Sequence, residues 1–109
     1  DVTVTNNTLT LHSGASTSQL NVIETSAGSG GAANLVNISN NVITGCSYVN
    51  AASGSFYGIW NTGAPASMNI TNNVFTNNTT GAASGSTYLI YNTGAVPALS
   101  INNNQLGFA

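Results

Sequence analysis

Cationic side chains are missing from this sequence. None of the 109 residues is Lys or Arg, and the only acidic residues are Asp1 and Glu24, so the formal net charge is −2. Proteins use Lys and Arg to neutralise nucleic-acid phosphates and to dock on anionic lipids. The composition therefore argues against nucleic acids and charged membrane surfaces as partners.

Cysteine and long apolar runs are also scarce. Cys46 is the only cysteine, so an internal disulfide is excluded and the cysteine count leaves the redox compartment open. No apolar run approaches the roughly 18 to 20 residues of a membrane span. The chain is nevertheless 41% hydrophobic, which is enough to build a core rather than remain disordered. We expect a single domain, residues 1–109, without a membrane span.

An internal repeat organises the sequence. Its motif is an apolar residue, a polar residue, two asparagines, a variable residue and a second apolar residue, and it occurs at residues 4–9, 38–43, 70–75 and 101–106. Successive copies begin 34, 32 and 31 residues apart. A second family lies between them, at residues 20–25, 57–62 and 88–93. Short units at a nearly constant period of this length are typical of solenoids, in which each turn buries its apolar face against the next.

Alternating polarity predicts that these units are β-strands. Met68 and Ile70 would face one side of a sheet, and Asn69 and Thr71 the other. Stacking also accounts for the missing charge, because a charged position in the repeat would become a column of like charges roughly 5 Å apart. Three inward columns are expected: Val4, Ile38, Ile70 and Ile101; Leu9, Ile43, Phe75 and Leu106; and Val22, Ile59 and Ile90.

The segments NITNNVFTNN, at 69–78, and GIWNTG, at 58–63, resemble the rungs of right-handed parallel β-helices. Such rungs occur in pectate-lyase-like enzymes, phage tailspikes and the passenger regions of bacterial adhesins. The resemblance implies an all-β fold, a right-handed parallel β-helix (β-solenoid) of about three rungs, with long loops because the repeat is longer than a usual rung. It also implies an internal asparagine ladder at the second asparagine of each pair: Asn7, Asn41, Asn73 and Asn104. Asparagine tolerates the positive φ of a tight bend, and stacked amides can hydrogen-bond in a column.

Groups that could carry catalysis are few and unpaired. A glycosidase needs two carboxylates facing one bond, and Asp1 lies at the terminus, which leaves Glu24 alone. Pectate lyases use acidic calcium ligands with a basic residue, and nothing here matches that set. A dyad of Cys46 and His12 is the remaining alternative, but a lone small thiol is more often a packing residue. We expect no enzyme activity, no catalytic residues, no cofactor and no bound metal.

A row of large apolar side chains is expected on the outside. Ile23, Trp60 and Tyr91 alternate with the third inward column and should face outward in register. Aligned apolar surface tends to mark an interface. Three interpretations stay open: a platform for a glycan, a contact with another chain, and burial beneath the chain's own loops.

Both ends of the sequence carry copies of one strand, and no polar cap is visible at either end. An uncapped solenoid end exposes backbone groups and apolar core. We therefore predict head-to-tail self-association through Val2, Val4 and Leu9 at one end and Leu99, Ile101, Leu106 and Phe108 at the other.

The resulting hypothesis is an extracellular structural β-solenoid at a cell or virion surface, a subunit of a stacked filament, fibre or adhesin. The placement rests on the replacement of charge by Asn, Thr, Ser and Gly. The alternatives are a carbohydrate-binding, tailspike-like module with a glycan partner, or a fragment of a longer solenoid adhesin.

Overall fold

The regular secondary structure is all β. The computed structural model describes residues 1–28, 33–49, 52–81 and 84–107, and these residues form thirteen strands and no helix. The strands are β1 (Val2–Thr5), β2 (Thr8–Leu9), β3 (Leu20–Thr25), β4 (Leu35–Ser39), β5 (Val42–Thr44), β6 (Ser47–Tyr48), β7 (Phe56–Asn61), β8 (Ser67–Thr71), β9 (Val74–Thr76), β10 (Thr79–Thr80), β11 (Thr87–Asn92), β12 (Ala98–Asn102) and β13 (Gln105–Leu106).

Every strand pair among these elements is parallel. Sheet 1 has the order β1-β4-β8-β12, and sheet 2 the order β2-β5-β9-β13. Sheet 3 contains β6 and β10, and sheet 4 has the order β3-β7-β11. In the second and third turns the chain passes through sheets 1, 2, 3 and 4 in that order, and in the first turn a single bridge from His12 to Ser47 takes the place of a sheet 3 strand. The result is a β-solenoid of about three turns. The predicted fold class is confirmed to that extent.

Each repeat motif bends at its asparagine pair. Recurrence of the motif predicts that its four copies pair as parallel strands of one sheet. The copies do pair in parallel, but each supplies a strand to sheet 1 before the asparagine pair and a strand to sheet 2 after it. The positive φ falls on the first asparagine of each pair: Asn6, Asn40, Asn72 and Asn103, at 55° to 59°. The expectation had assigned this conformation to the second asparagine. The two residues of a pair therefore have different roles. The first adopts the backbone conformation of the bend, and the second points its side-chain amide toward the interior of the solenoid.

The core lies in the middle turns. Ile38 and Ile70 are fully buried. In the same column, Val4 is half-buried and Ile101 is 45% exposed. Ile43 and Phe75 are likewise buried, and Leu106 in their column is 56% exposed. Burying such a side chain stabilises a protein by about 1.5–3 kcal/mol. The last turn lacks this stabilisation within the described part of the chain.

The molecule is shallow along the solenoid axis. Its principal extents are 41 × 24 × 16 Å. Four layers of sheet 1 cover three strand spacings, about 14 Å, which is close to the shortest extent. The two broad surfaces are therefore the open ends of the solenoid, and we call them the first-turn face and the last-turn face.

The loops stack as closely as the strands. The Thr93 N–H donates to the Asn61 carbonyl at 2.9 Å, and the Thr62 N–H donates to the Thr25 carbonyl at 2.9 Å. A methyl group added at Gly94 would overlap the carbonyl oxygen of Gly63 in the turn before. The long connections thus extend the parallel ladder instead of hanging outside it.

Candidate functional site

The structure corrects the expected register of sheet 4. Ile23 pairs with Ile59, which pairs with Ile90, so Ile23 and not Val22 belongs to the third inward column. The outward row consists of Glu24, Trp60 and Tyr91. Aligning the three copies on their threonines had displaced the first copy by one residue, and a one-residue slip exchanges the two faces of a strand. Ile23 is accordingly buried.

Four aromatic side chains on the outside of sheet 4 form what we call the aromatic patch: Tyr57, Trp60, Tyr88 and Tyr91. The Trp60 and Tyr57 rings stack at 4.6 Å, Tyr57 and Tyr88 at 5.4 Å, and Tyr88 and Tyr91 at 4.3 Å. Tyr57 and Trp60 share a side although they lie three positions apart, because the strict alternation is interrupted at Gly58, which has no partner in the strand register. Sequence alternation alone therefore found Trp60 and Tyr91 but missed Tyr57 and Tyr88.

Polar side chains border the aromatic patch on the first-turn side. Asn21 pairs with Tyr57, and Glu24 pairs with Trp60. The Asn21 Nδ2 donates to the Glu24 Oε2 at 2.7 Å. The Asn21 Oδ1 is buried and accepts no hydrogen bond from the described residues. The only carboxylate within a strand thus lies beside the only tryptophan.

The asparagine ladder runs through the bend between sheets 1 and 2. The Nδ2 of Asn7, Asn41 and Asn73 donates to the Oδ1 of the corresponding asparagine one turn later, at 3.0 Å in each case. The same Oδ1 also accepts the backbone N–H of the donor residue. Each amide from the second turn onward donates back to a strand carbonyl of the turn before, as Asn41 does to Val4 and Asn73 to Ile38. The amides therefore bond each turn both forward and backward.

A second, shorter ladder occupies the bend between sheets 2 and 3, and we did not expect it from the sequence. Asn78 is fully buried, accepts the Cys46 N–H at 2.9 Å and donates to the Ile43 carbonyl at 3.0 Å. Cys46 occupies the equivalent place one turn earlier, where its Sγ lies 3.5 Å from the Leu11 nitrogen. The Asn77–Asn78 pair could have indicated this second ladder, but only one of the repeats contains an asparagine pair at this place.

The ladder of Asn7, Asn41, Asn73 and Asn104 is open at both ends in the described residues. At the first-turn face, the Asn7 Oδ1 has no donor among them, and its Nδ2 donates to the Thr5 carbonyl of its own turn at 3.1 Å. At the last-turn face, the Asn104 backbone N–H has no acceptor among them, although its Nδ2 donates to the Ile70 carbonyl. The first-turn face thus presents an acceptor without a donor, the Asn7 Oδ1, and the last-turn face presents a donor without an acceptor, the Asn104 N–H.

The residues expected to stack between subunits lie at these two faces. Val2 is 37% exposed, and Val4 and Leu9 are half-buried at the first-turn face. Leu99 is 39% exposed at the last-turn face, beside Ile101 and Leu106. Phe108 lies outside the described residues.

No hydrogen bond joins the candidate chemical groups, His12, Cys46, Asp1 and Glu24, to one another in the described part of the chain. His12 is exposed and bridges to Ser47 in sheet 3, while Asp1 accepts the Leu35 N–H at 2.9 Å. Burial raises the pKa of the Cys46 thiol, and the Leu11 N–H offsets this in part. No group of three His, Cys, Asp or Glu side chains that could hold a metal ion occurs in the part of the chain that the structure describes.

Neither a membrane-spanning helix in the described residues nor a match to a known protein points to a function. The described ranges contain no helix long and apolar enough to cross a membrane. Comparison with protein-family models, with curated proteins and with solved structures finds no significant match to this chain.

Proposed function

We propose that this chain is an extracellular structural β-solenoid whose units stack head to tail into a surface filament. In this arrangement the last-turn face of one copy covers the first-turn face of the next. The observation that supports it is the complementarity of the two open ladder ends. The absence of charged columns is consistent with such stacking, because it allows copies to repeat without like-charge repulsion.

The ladder supplies the register of the junction. By the pattern inside the chain, the Asn104 N–H and Nδ2 of one copy would donate to the Asn7 Oδ1 of the next. The Asn7 Nδ2 would exchange its bond to Thr5 for one to the Ile101 carbonyl of the preceding copy. Hydrogen bonds between such buried groups contribute about 0.5–1.5 kcal/mol each.

The same register matches the exposed apolar residues. Within the chain, Val2 pairs with Val36, Val4 with Ile38, and Leu9 with Ile43. Extending the columns by one turn would place Leu99 on Val2, Ile101 on Val4 and Leu106 on Leu9 of the next copy. All six side chains would then gain the burial that their middle-turn equivalents have.

The junction would be made by sheets 1 and 2. These sheets have four layers, whereas sheet 4 has three, so a space one strand wide would remain between β11 of one copy and β3 of the next. The contact therefore covers only part of the 41 × 24 Å face. Assembly is expected to depend strongly on protein concentration.

A pair of matched substitutions tests the proposal. Leu106 and Val49 are 56% and 59% exposed, but Leu106 lies at the last-turn face and Val49 follows β6 in the second turn. Leu106→Lys places an unpaired charge in the junction and should abolish assembly, while Val49→Lys should leave it unchanged. Sedimentation velocity at increasing concentration is the measurement. Equal behaviour of the two variants, or a native chain that stays monomeric, contradicts the filament.

Carbohydrate binding is the second candidate function, favoured by the half-exposed rings of Trp60, Tyr88 and Tyr91. Sugars stack on open aromatic faces. In the aromatic patch, however, each ring stacks on at least one other ring of the patch, which leaves less open ring surface for a sugar. We therefore rank this candidate below the structural role, and the glycoside titration described next tests it.

A further inference from the structure

We propose that the outer surface of sheet 4 binds a quaternary ammonium group of a small molecule, held by the Trp60 and Tyr91 rings and the Glu24 carboxylate. The site lies within one chain and does not depend on filament assembly. Its three groups are register partners in consecutive strands, so the sheet places them side by side.

Trp60 and Tyr91 are half-exposed and each stacks on one other ring of the patch, so each can offer its second face to a ligand. The stacked contacts run in the order Trp60, Tyr57, Tyr88, Tyr91, so Trp60 and Tyr91 are the end members. Their ring centroids lie 6.2 Å apart with an interplanar angle of 40°. The indole is held in place by a hydrogen bond from its Nε1 to the Thr93 Oγ1 at 3.4 Å. Tyr57, inside the stack, is only 9% exposed and supports the end rings from behind.

The electrostatics favour a cation. Glu24 is exposed, and the sequence contains no Lys or Arg that could neutralise it. The Asn21 Oδ1 has no donor among the described residues, and although it is buried and does not contact a ligand, it adds a partial negative charge close to the carboxylate. A cation over the face of Trp or Tyr is attracted by the ring quadrupole, and the carboxylate adds a direct charge attraction.

The same features favour an ammonium group over a sugar. A sugar presents hydroxyls that need both donors and acceptors, but the Trp60 N–H donates to Thr93 and the Asn21 amide donates to Glu24. An alkylated ammonium has no such requirement. It is also preferred over a Lys side chain, because a primary ammonium is strongly hydrated and the half-exposed rings compete poorly with water.

Trp60 is the only tryptophan, so its fluorescence reports on the site directly. The experiment titrates the full chain with choline at constant ionic strength and, in parallel, with 3,3-dimethylbutan-1-ol, an uncharged molecule of the same shape. The proposal expects a saturable change with choline and none with the neutral analogue over the same range. Equal responses to both, or no response to choline, overturn it.

A matched pair of charge variants locates the binding. Glu24→Gln and Asp1→Asn each remove one negative charge, but only Glu24 borders the aromatic patch. Glu24→Gln should weaken choline binding about fivefold, which is at the upper end for an exposed charge pair, and Asp1→Asn should change it less than twofold. Tyr91→Leu, which keeps the tryptophan signal, should also weaken binding. If Asp1→Asn and Glu24→Gln act alike, the attraction is non-specific and the site is wrong.

A methyl glucoside titration forms the last arm. The proposal expects no saturable response to it. A saturable response to the glycoside that survives Glu24→Gln assigns the patch to carbohydrate and overturns the ammonium site. Neither result bears on filament assembly, which sedimentation measures separately.

Discussion

The amide of Asn41 donates to the Oδ1 of Asn73 at 3.0 Å, and both side chains are fully buried. A buried amide without partners is strongly destabilising, since each unsatisfied group costs about 1–3 kcal/mol. Asn73 in turn bonds to Asn104 and to the Ile38 carbonyl. One side chain therefore joins three consecutive turns.

The ladder gives the first prediction. Asn73→Ala removes the acceptor of the Asn41 amide and backbone N–H and also a donor to the Ile38 carbonyl, so the free energy of unfolding should fall by about 2 kcal/mol or more. Asn69→Ala is the matched control, because Asn69 is half-buried and makes no side-chain hydrogen bond with the described residues. Its effect should stay within about 0.5 kcal/mol. Urea denaturation measures both, and similar losses would show that the ladder is not a stabilising element.

The bend gives the second prediction. Asn72 has φ of 56° and is exposed, so its contribution is conformational. Asn72→Gly should be nearly neutral, whereas Asn72→Val should destabilise by about 1–2 kcal/mol because a β-branched residue fits this region poorly. Thermal unfolding compares the two variants. Equal stability of both would contradict the assignment of the bend to the first asparagine.

The loop stacking gives the third prediction. A Cβ at Gly63 would overlap the Ala27 carbonyl oxygen, whereas a Cβ at Gly14 meets no atom within 4 Å. Gly63→Ala should therefore destabilise by more than about 1 kcal/mol, as overpacked substitutions do. Gly14→Ala should be neutral or slightly stabilising, because it restricts the unfolded chain. Calorimetry measures the stability of both variants. If Gly63→Ala is as stable as the native chain, the loops do not stack.

Cys46 gives the fourth prediction. It occupies the place that Asn78 has one turn later, so Cys46→Asn should extend the second ladder to Leu11 and Leu9. We expect Cys46→Asn to be at least as stable as the native chain and Cys46→Ala to be less stable by about 1 kcal/mol or more. Loss of folding in Cys46→Asn, measured by circular dichroism, would contradict the second ladder.

The sequence predicts which residues of sheets 1 and 2 stack on one another, because the motif that contains the asparagine pair recurs with little change. Val4, Ile38, Ile70 and Ile101 align in the structure as they do in the repeat. The ladder itself could be anticipated because it needs the same residue at the same place in each turn. These features depend on local pattern and stacking alone.

Sheet 4 could not be predicted in the same way. The first copy contains Glu24 where the others have Trp60 and Tyr91, so the pattern offers no aromatic residue to align. The interruption at Gly58 depends on close packing against the Phe75 ring and the Leu89 carbonyl, which is a tertiary contact. The polar border of the aromatic patch follows from this register and became visible only in three dimensions.

Electron microscopy of the native chain at high concentration shows whether copies stack end to end. We expect unbranched filaments with strands perpendicular to the long axis, a 4.8 Å repeat, and a subunit rise of about 19 Å, because four layers of sheet 1 stack per copy. Monomeric particles, or assemblies in which the subunits meet through sheet 4 instead of the two end faces, would contradict this expectation.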